Sequence, residues 1–355
     1  RSQDDGNGRN PEQRNHGDRN EDAQPCGANM PETSALSGVE WNAKKDDALN
    51  VHEELSNKNG DYGIRNLHFT RGNMNLSLKK LDKRDGITAT PNKLDTWIVP
   101  NVPDHLRNAD QRDPELIRHI REFWIIPPFK DPISLQRHNN SFPVPGRDFS
   151  QSGQPTVVNK LLSNKTKGFY VECGAGDGEI HSNSLLFELY HHWDGILIEA
   201  NPTYFKTILQ KKRRAFMLNA CLSPTRKATT LNFTQYGIAG GLTDLIPNEQ
   251  REFFGYKRKP IEIQCFPLYS ILSALKIKKV DYLSLDIEGP EVEVLQNIPL
   301  NEIIIDVLSV EKRIMNNPNG TAKKIDDIIR VLKPYGYHME RIVQMDVIVS
   351  RLPTN

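Results

Sequence analysis

The sequence contains no run of about 18 apolar residues, so no segment of it is built to cross a bilayer as a helix. It has no excess charge of one sign either. The 46 Lys and Arg stand against 45 Asp and Glu, for a formal net charge of +1. Acids and bases interleave, which leaves no basic stripe of the kind a phosphate backbone requires, and nucleic acid is not expected as a partner. Cysteine is scarce: Cys26, Cys173, Cys221 and Cys265 are the four present, with no C-x-x-C pair. That argues against a zinc site, and no metal site is read from the sequence. Apolar residues are sparse in the first quarter, where Trp41, Tyr62 and Phe69 are the aromatics before residue 90. Too little apolar surface is available there to offset the entropy of ordering, so residues 1–95 are expected to be a disordered polar leader.

What is present begins with "DPELIRHIREFWIIPPF". Asp113 suits an N-cap and Pro114 the first helical position, and a double proline ends the stretch. Leu116, Ile117, Ile120, Phe123 and Trp124 share one helical face, so this segment, within an accessory region at 96–150, should dock on a core. "QPTVVNKLL" from Gln154 reads as a short helix leading into a main domain at 151–355. Strands are expected at "GFYVEC", "GILIEA", "AFMLNACL", "VDYLSLDI" and "EIIIDVLSVE", with helices from Ser182, Thr203, Leu268, Pro290 and Lys323 between them. This alternation predicts parallel strands joined by crossover helices. "YHMERIV" and "MDVIVSRL", separated by Gln344, read as an antiparallel hairpin at the sheet edge. The expected fold class is therefore α/β, a seven-stranded, mainly parallel sheet closed by an antiparallel C-terminal hairpin.

The first strand runs into "ECGAGDGE", which crowds Gly174, Gly176 and Gly178 into five positions. A glycine loop after the first strand of an open α/β sheet lets a nucleotide-like ligand approach the backbone. The G-x-G-x-G spacing does not meet the G-x-G-x-x-G dinucleotide fingerprint, which leaves a nicotinamide oxidoreductase as an outsider. The neighbouring Glu172, Asp177 and Glu179 would repel a pyrophosphate. The same acids suit a ligand that carries an ammonium and a sulfonium, as S-adenosylmethionine does. Glu199 ends the second strand, 25 residues beyond Gly174, where a carboxylate can accept two hydrogen bonds from ribose hydroxyls. Asn201 and Pro202 follow it.

"VECGAGDGEIHSNSLLFE", "ILIEANP", "LNACLS", "CFPLYSIL" and "VDYLSLDIEGPEVEVL" together resemble the FkbM family of methyltransferases. Within it, "DPELIRHIREFWIIPP", "SQSGQ" and the paired "NACLS" and "CFPLYSIL" are similar to the Star-like branch of animal proteins. The first resemblance implies a class I, Rossmann-like S-adenosylmethionine-dependent fold and O-methylation. The second implies an endomembrane role in protein export. Carried over by position, Glu172, Gly174 and Gly176 would line the methionine end of the cofactor, Glu199 would hold the ribose, and Asn201, Asn219 and Ala220 would complete the cofactor site. Asp286, in "SLDIEG", falls near the amino-acid portion or the acceptor; its other reading is a helix-terminal acid ahead of Pro290. Glu288, Glu311 and the lone His181 are the candidates for a general base. The insert from Tyr236 to Pro260, with Phe253, Phe254 and a basic end at Lys257, Arg258 and Lys259, is a candidate cover for the substrate.

Two functions compete on this reading. One is an enzyme that methylates a small, glycan or lipid acceptor. The other is a trafficking factor that uses the same fold as a binding module, with membrane-protein cargo as its partner. Five N-x-S/T sequons, at Asn75, Asn139, Asn164, Asn232 and Asn319, favour the secretory pathway or the ER and Golgi lumen over the cytoplasm. Because the chain begins at Arg1, an upstream signal or anchor is left open, and membrane association is expected only through such a segment. The sequons and the Star-like resemblance motivate a Cys221–Cys265 bridge, with Cys173 a buried thiol and Cys26 left over.

Overall fold

The computed structural model describes residues 49–56, 62–70, 73–76, 99–135, 148–255 and 259–351. The chain divides into two units, residues 1–83 and 84–355. In the first, β1 (Leu49–Ser56), β2 (Tyr62–Thr70) and β3 (Asn73–Leu76) pair antiparallel in that order, within the leader for which composition predicts disorder. The other leader residues, Cys26 among them, lie outside the described residues.

The second unit opens on α1 (Pro114–His119), and Asp113 caps it by accepting from the backbone N–H of Glu115 and Leu116. A π-helical turn, Ile120–Trp124, continues the helix. Leu116, Ile120 and Trp124 are buried as the periodicity requires, but the wider turn leaves Phe123 45% exposed, off the expected face. Trp124 stands edge-on to Phe266 at 4.9 Å, which docks the helix. α2 (Gln154–Leu161) leads to β4 (Phe169–Cys173), α3 (Leu185–Tyr190), β5 (Asp194–Ile198), α4 (Pro202–Lys211) and β6 (Phe216–Leu218). Next come β7 (Cys221–Leu222), β8 (Thr229–Thr234), β9 (Gly241–Leu242), α5 (Asn248–Phe254) and β10 (Ile261–Phe266). α6 (Leu268–Ala274), β11 (Lys279–Leu285), α7 (Glu291–Asn297), β12 (Ile304–Glu311), α8 (Pro318–Leu332), β13 (His338–Val343) and β14 (Asp346–Ser350) complete it.

The main sheet has seven strands in the order β13-β14-β12-β11-β4-β5-β6. β6, β5, β4, β11 and β12 run parallel, β14 is antiparallel to β12, and β13 is antiparallel to β14. This is the α/β sheet expected from the sequence, with its antiparallel C-terminal hairpin. Both faces are covered, so the strands alternate between two cores instead of between core and water. Val171, Cys173, Leu283 and Leu285 meet α1, α6, α7 and α8 on one face. Tyr170, Leu197, Met217 and Tyr282 meet α2, α3 and α4 on the other.

The segment expected as one strand, "AFMLNACL", is broken. Its first half is β6 in the main sheet, while Cys221 and Leu222 turn into a second, four-stranded sheet of order β7-β10-β8-β9. Cys221 and Cys265 are register partners on the parallel strands β7 and β10, with Cα atoms 4.3 Å apart, and they form a disulfide. Among the described residues, no helix is long and apolar enough to cross a membrane.

Candidate functional site

β4 has β5 on one side and β11 on the other, so chain connections leave it in opposite directions and a crevice opens at the carboxyl ends of the strands. A cavity of about 530 Å³ lies there, within the range of small-molecule sites. Gly174, Gly176, Glu199, Asn201, Ala220, Asp286, Glu288 and Glu311 all line it, so the structure brings together residues spread over 137 positions of sequence.

The glycine loop is shaped by close approach. Gly174 has φ +78° and donates its N–H to the Ile198 carbonyl at 3.0 Å, and a Cβ placed on it would stand 1.8 Å from the Asp286 carbonyl oxygen. No other residue fits where β4 and β11 meet. Gly176, at φ +55°, has nothing within 4 Å of such a Cβ, so the loop's outer side is open to a ligand.

Glu199 is 6% exposed. Its Oε2 accepts from Gly176 N–H at 2.7 Å and its Oε1 from Asn201 N–H at 2.7 Å. These bonds fix the carboxylate and leave one acceptor site on each oxygen. Burial pushes its pKa up to about 7 despite the backbone N–H groups of Asn201, Gly176 and Ala200, which act to lower it. Asn201 lines the cavity, but its side chain caps α4 at Thr203 N–H. Asn219 is a brace: its Nδ2 donates to the carbonyls of Glu199 and Ala200, and it does not line the cavity, whereas Ala220 does.

Glu172 and Glu179 depart from the picture of a rim of acids facing the ligand. Glu172 touches the cavity, yet its oxygens accept from Asn183 N–H at 2.6 Å and from the hydroxyls of Ser182 and Ser184 at 2.9 and 2.5 Å. Its carboxylate holds the loop before α3. Burial raises its pKa, and Arg213 acts in the opposite direction. Glu179 is fully buried against Lys211 at 2.5 Å. Asp177 accepts from the N–H groups of Glu179 and Ile180 and so caps the loop's exit. Sequence reasoning missed the cations because Lys211 ends α4, Arg213 lies just beyond it, and no local pattern ties them to the loop.

At the far end of the cavity Asp286, Glu288 and Glu311 converge, with one carboxylate oxygen of each within 4.8 Å of the others. Burial raises all three pKa values, Glu288's to about 7, and mutual repulsion adds to the shifts of Asp286 and Glu311. Gln250 Nε2 donates to Glu288 Oε2. His181 also lines the cavity, with φ +60°. Asn183 was not foreseen: its Nδ2 donates to Ser284 Oγ at 2.9 Å, while its buried Oδ1 has no partner. Tyr236, Ile238, Phe253 and Phe254 of the long insert form an apolar wall, and the Tyr236 and Phe254 rings are 5.3 Å apart. Of the insert's basic end, Lys257 and Arg258 lie outside the described residues.

Residues 172–339 match the methyltransferase FkbM domain. No curated protein matches the chain. Among solved structures, it is similar to methyltransferase FkbM from Methylobacillus flagellatus KT, at 12% identity over 52% of this chain and 43% of that one, with a TM-score of 0.31. It is also similar to the putative methyltransferase yhhF from Escherichia coli, at 12% identity over 59% and 90% of the two chains, with a TM-score of 0.29. M. jannaschii TYW2, solved in complex with AdoMet, is a third, at 12% identity over 58% and 80%, with a TM-score of 0.28. The described sheet is a class I S-adenosylmethionine methyltransferase-like α/β fold.

Proposed function

We propose that the cavity binds S-adenosylmethionine and that the protein methylates a hydroxyl oxygen of an acceptor with an apolar body, of the lipid kind. The observation that carries this reading is Glu199, fixed by two backbone N–H groups beside an open Gly176 and with an acceptor site left on each oxygen. Those two sites match the adjacent hydroxyls of a ribose. Asn183 Oδ1, buried and without a partner, would accept from the ammonium. The apolar wall from the insert, with Ile238 60% and Phe253 52% exposed, suits an apolar acceptor.

When bound, the cofactor supplies a sulfonium methyl whose C–S bond breaks as the C–O bond to the acceptor forms, with the electron pair staying on sulfur. Glu288 and Glu311 line the same cavity and would serve as the base for the acceptor's proton, since a carboxyl lifted to about 7, as Glu288 is, takes a proton near neutral pH. The Asp286 backbone adjoins the glycine loop at Cys173 and Gly174, so its carboxylate would orient the reacting end. The disulfide, together with exposed sequons at Asn164, Asn232 and Asn319, supports an oxidising, luminal or extracellular setting. The competing reading, a trafficking module with a vestigial pocket, expects the crevice to be filled by the protein's own side chains. An open cavity of about 530 Å³ favours the enzyme.

Calorimetric titration of the full chain with S-adenosylmethionine tests the proposal. Micromolar binding is expected, weakened about 10- to 100-fold in Glu199→Gln and Glu199→Ala, since hydrogen bonds to a charged group contribute about 1.5–3 kcal/mol. Absence of heat at millimolar cofactor, with the chain folded by circular dichroism, would overturn it.

A further inference from the structure

The three acids at the far end of the cavity come from two strand ends. Asp286 follows β11, Glu288 is two residues further on, and Glu311 is the last residue of β12. Among the described residues no Lys or Arg forms an ion pair with them. Lys324 is buried and pairs with Glu291 at 2.7 Å, acting on the three acids only through space, and the Arg313 guanidinium donates to Met345 Sδ at 3.1 Å. Gln250 is a neutral donor to Glu288. The other charged groups facing the cluster are Glu291 and Asp346, both acids. Glu311 is 7% exposed, and its Oε2 is buried with no hydrogen-bond partner. A buried, orphaned carboxylate oxygen beside two more carboxylates is unfavourable unless the group holds a proton or a cation stands between them.

The donor set identifies what that is. It consists of oxygen only, with no imidazole or thiolate among the three, which is the preference of hard divalent cations and not of zinc or copper. Three oxygens at most 4.8 Å apart hold an ion no further than about 2.8 Å from each, so a small inward turn of the carboxylates brings them to the roughly 2.3–2.6 Å of calcium, and magnesium needs a larger one. We propose that Asp286, Glu288 and Glu311 bind a hard divalent cation, calcium, manganese or magnesium, through one oxygen each. Three protein ligands leave half or more of a shell of about six to eight positions open to water and to oxygens from the acceptor.

The ion's role, unlike its binding, rests on the methyltransfer reading above. A cation there would polarise an acceptor hydroxyl and select acceptors that present two neighbouring oxygens, because a chelating pair fills two open positions at once. With the ion in place Glu288 and Glu311 would be ligands and not bases, and the acidified acceptor proton would pass to water or to His181, which lines the same cavity.

Mn²⁺ alone, titrated into the full chain and followed by the paramagnetic resonance of the free ion, is the test. One bound Mn²⁺ per chain is expected, with a dissociation constant of about 10⁻⁴ M or tighter. Glu311→Gln, which removes a crowded charge and keeps the side chain's shape, should weaken binding at least about tenfold. Mn²⁺ should raise the unfolding temperature of the unaltered chain and not that of the variant. No bound ion at millimolar Mn²⁺, or equal binding in Glu311→Gln and Asp286→Asn, would overturn the proposal. Glu199→Gln separates the two readings: it should lose the adenosyl ligand and keep Mn²⁺. Cofactor binding without any ion sinks this proposal alone, and ion binding without any cofactor sinks only the methyltransfer reading.

Discussion

Two groups of buried carboxylates flank the same cavity, and the fold treats them in opposite ways. Behind the glycine loop, Glu172, Glu179 and Glu188 are matched to Arg213 and Lys211. Arg213 binds Glu188 at 2.7 Å and also reaches Ser184 at 3.0 Å, while Lys211 takes Glu179. Burial opposes the Arg213 charge, but Glu188, Tyr170 and Glu172 more than offset it and hold its pKa above the ordinary value. At the far end, Asp286, Glu288 and Glu311 face one another without a matched cation. The first group is framework: two cations offset two of its three carboxylates, N–H and hydroxyl donors hold the third, and its geometry fixes the loop. The second keeps its charge available. The useful question about a buried acid is therefore what its oxygens already hold.

The most severe way to break the contrast is Arg213→Ala, which leaves Glu188 and Glu172 buried without their cation. A loss of about 3–5 kcal/mol is expected in urea-induced unfolding, and a loss under 1 kcal/mol would mean that the first group is not a framework. Glu172→Gln is milder. It weakens the bonds from Ser182, Ser184 and Asn183, and should lower stability by about 1–3 kcal/mol, accompanied by faster hydrogen exchange in residues 182–184. The smallest change has the opposite sign. Glu288→Gln removes one of three crowded acids and should raise stability by on the order of 1–2 kcal/mol at pH 8 without added metal.

The pH dependence follows from the same groups. The folded pKa values of Glu199 and Glu288 are raised from 4.5 to about 7. The unfolded chain thus releases these protons first, and the metal-free protein should lose stability as pH rises from about 4.5 through about 7. Glu288→Gln should flatten that slope in thermal melts recorded across this window. An unchanged slope would remove Glu288 from the account.

The main sheet was legible because its parallel strands are mostly apolar runs set between amphipathic helices, as in "VDYLSLDI" for β11. The second sheet was not: β7 and β9 are two residues long, too short for any periodicity, and Leu222 to Ile261 holds mostly polar edge sequence. At the site, position along the chain was enough for Gly174, Glu199 and Asp286, since residues at the carboxyl ends of parallel strands share one edge. It failed for Glu172 and Glu179, whose roles depend on cations 32 to 41 residues away. It failed also for Asn183, an amide in a serine-rich turn that nothing in the sequence distinguishes from its neighbours.

The link between Cys221 and Cys265, 44 positions apart, turns the stretch they bound into a covalent ring, and that ring carries the apolar wall of the cavity. A protease that cuts the exposed insert therefore nicks the chain without releasing a fragment. The cut molecule runs as one piece until a reductant separates its halves, so the cavity's cover outlasts the backbone that connects it.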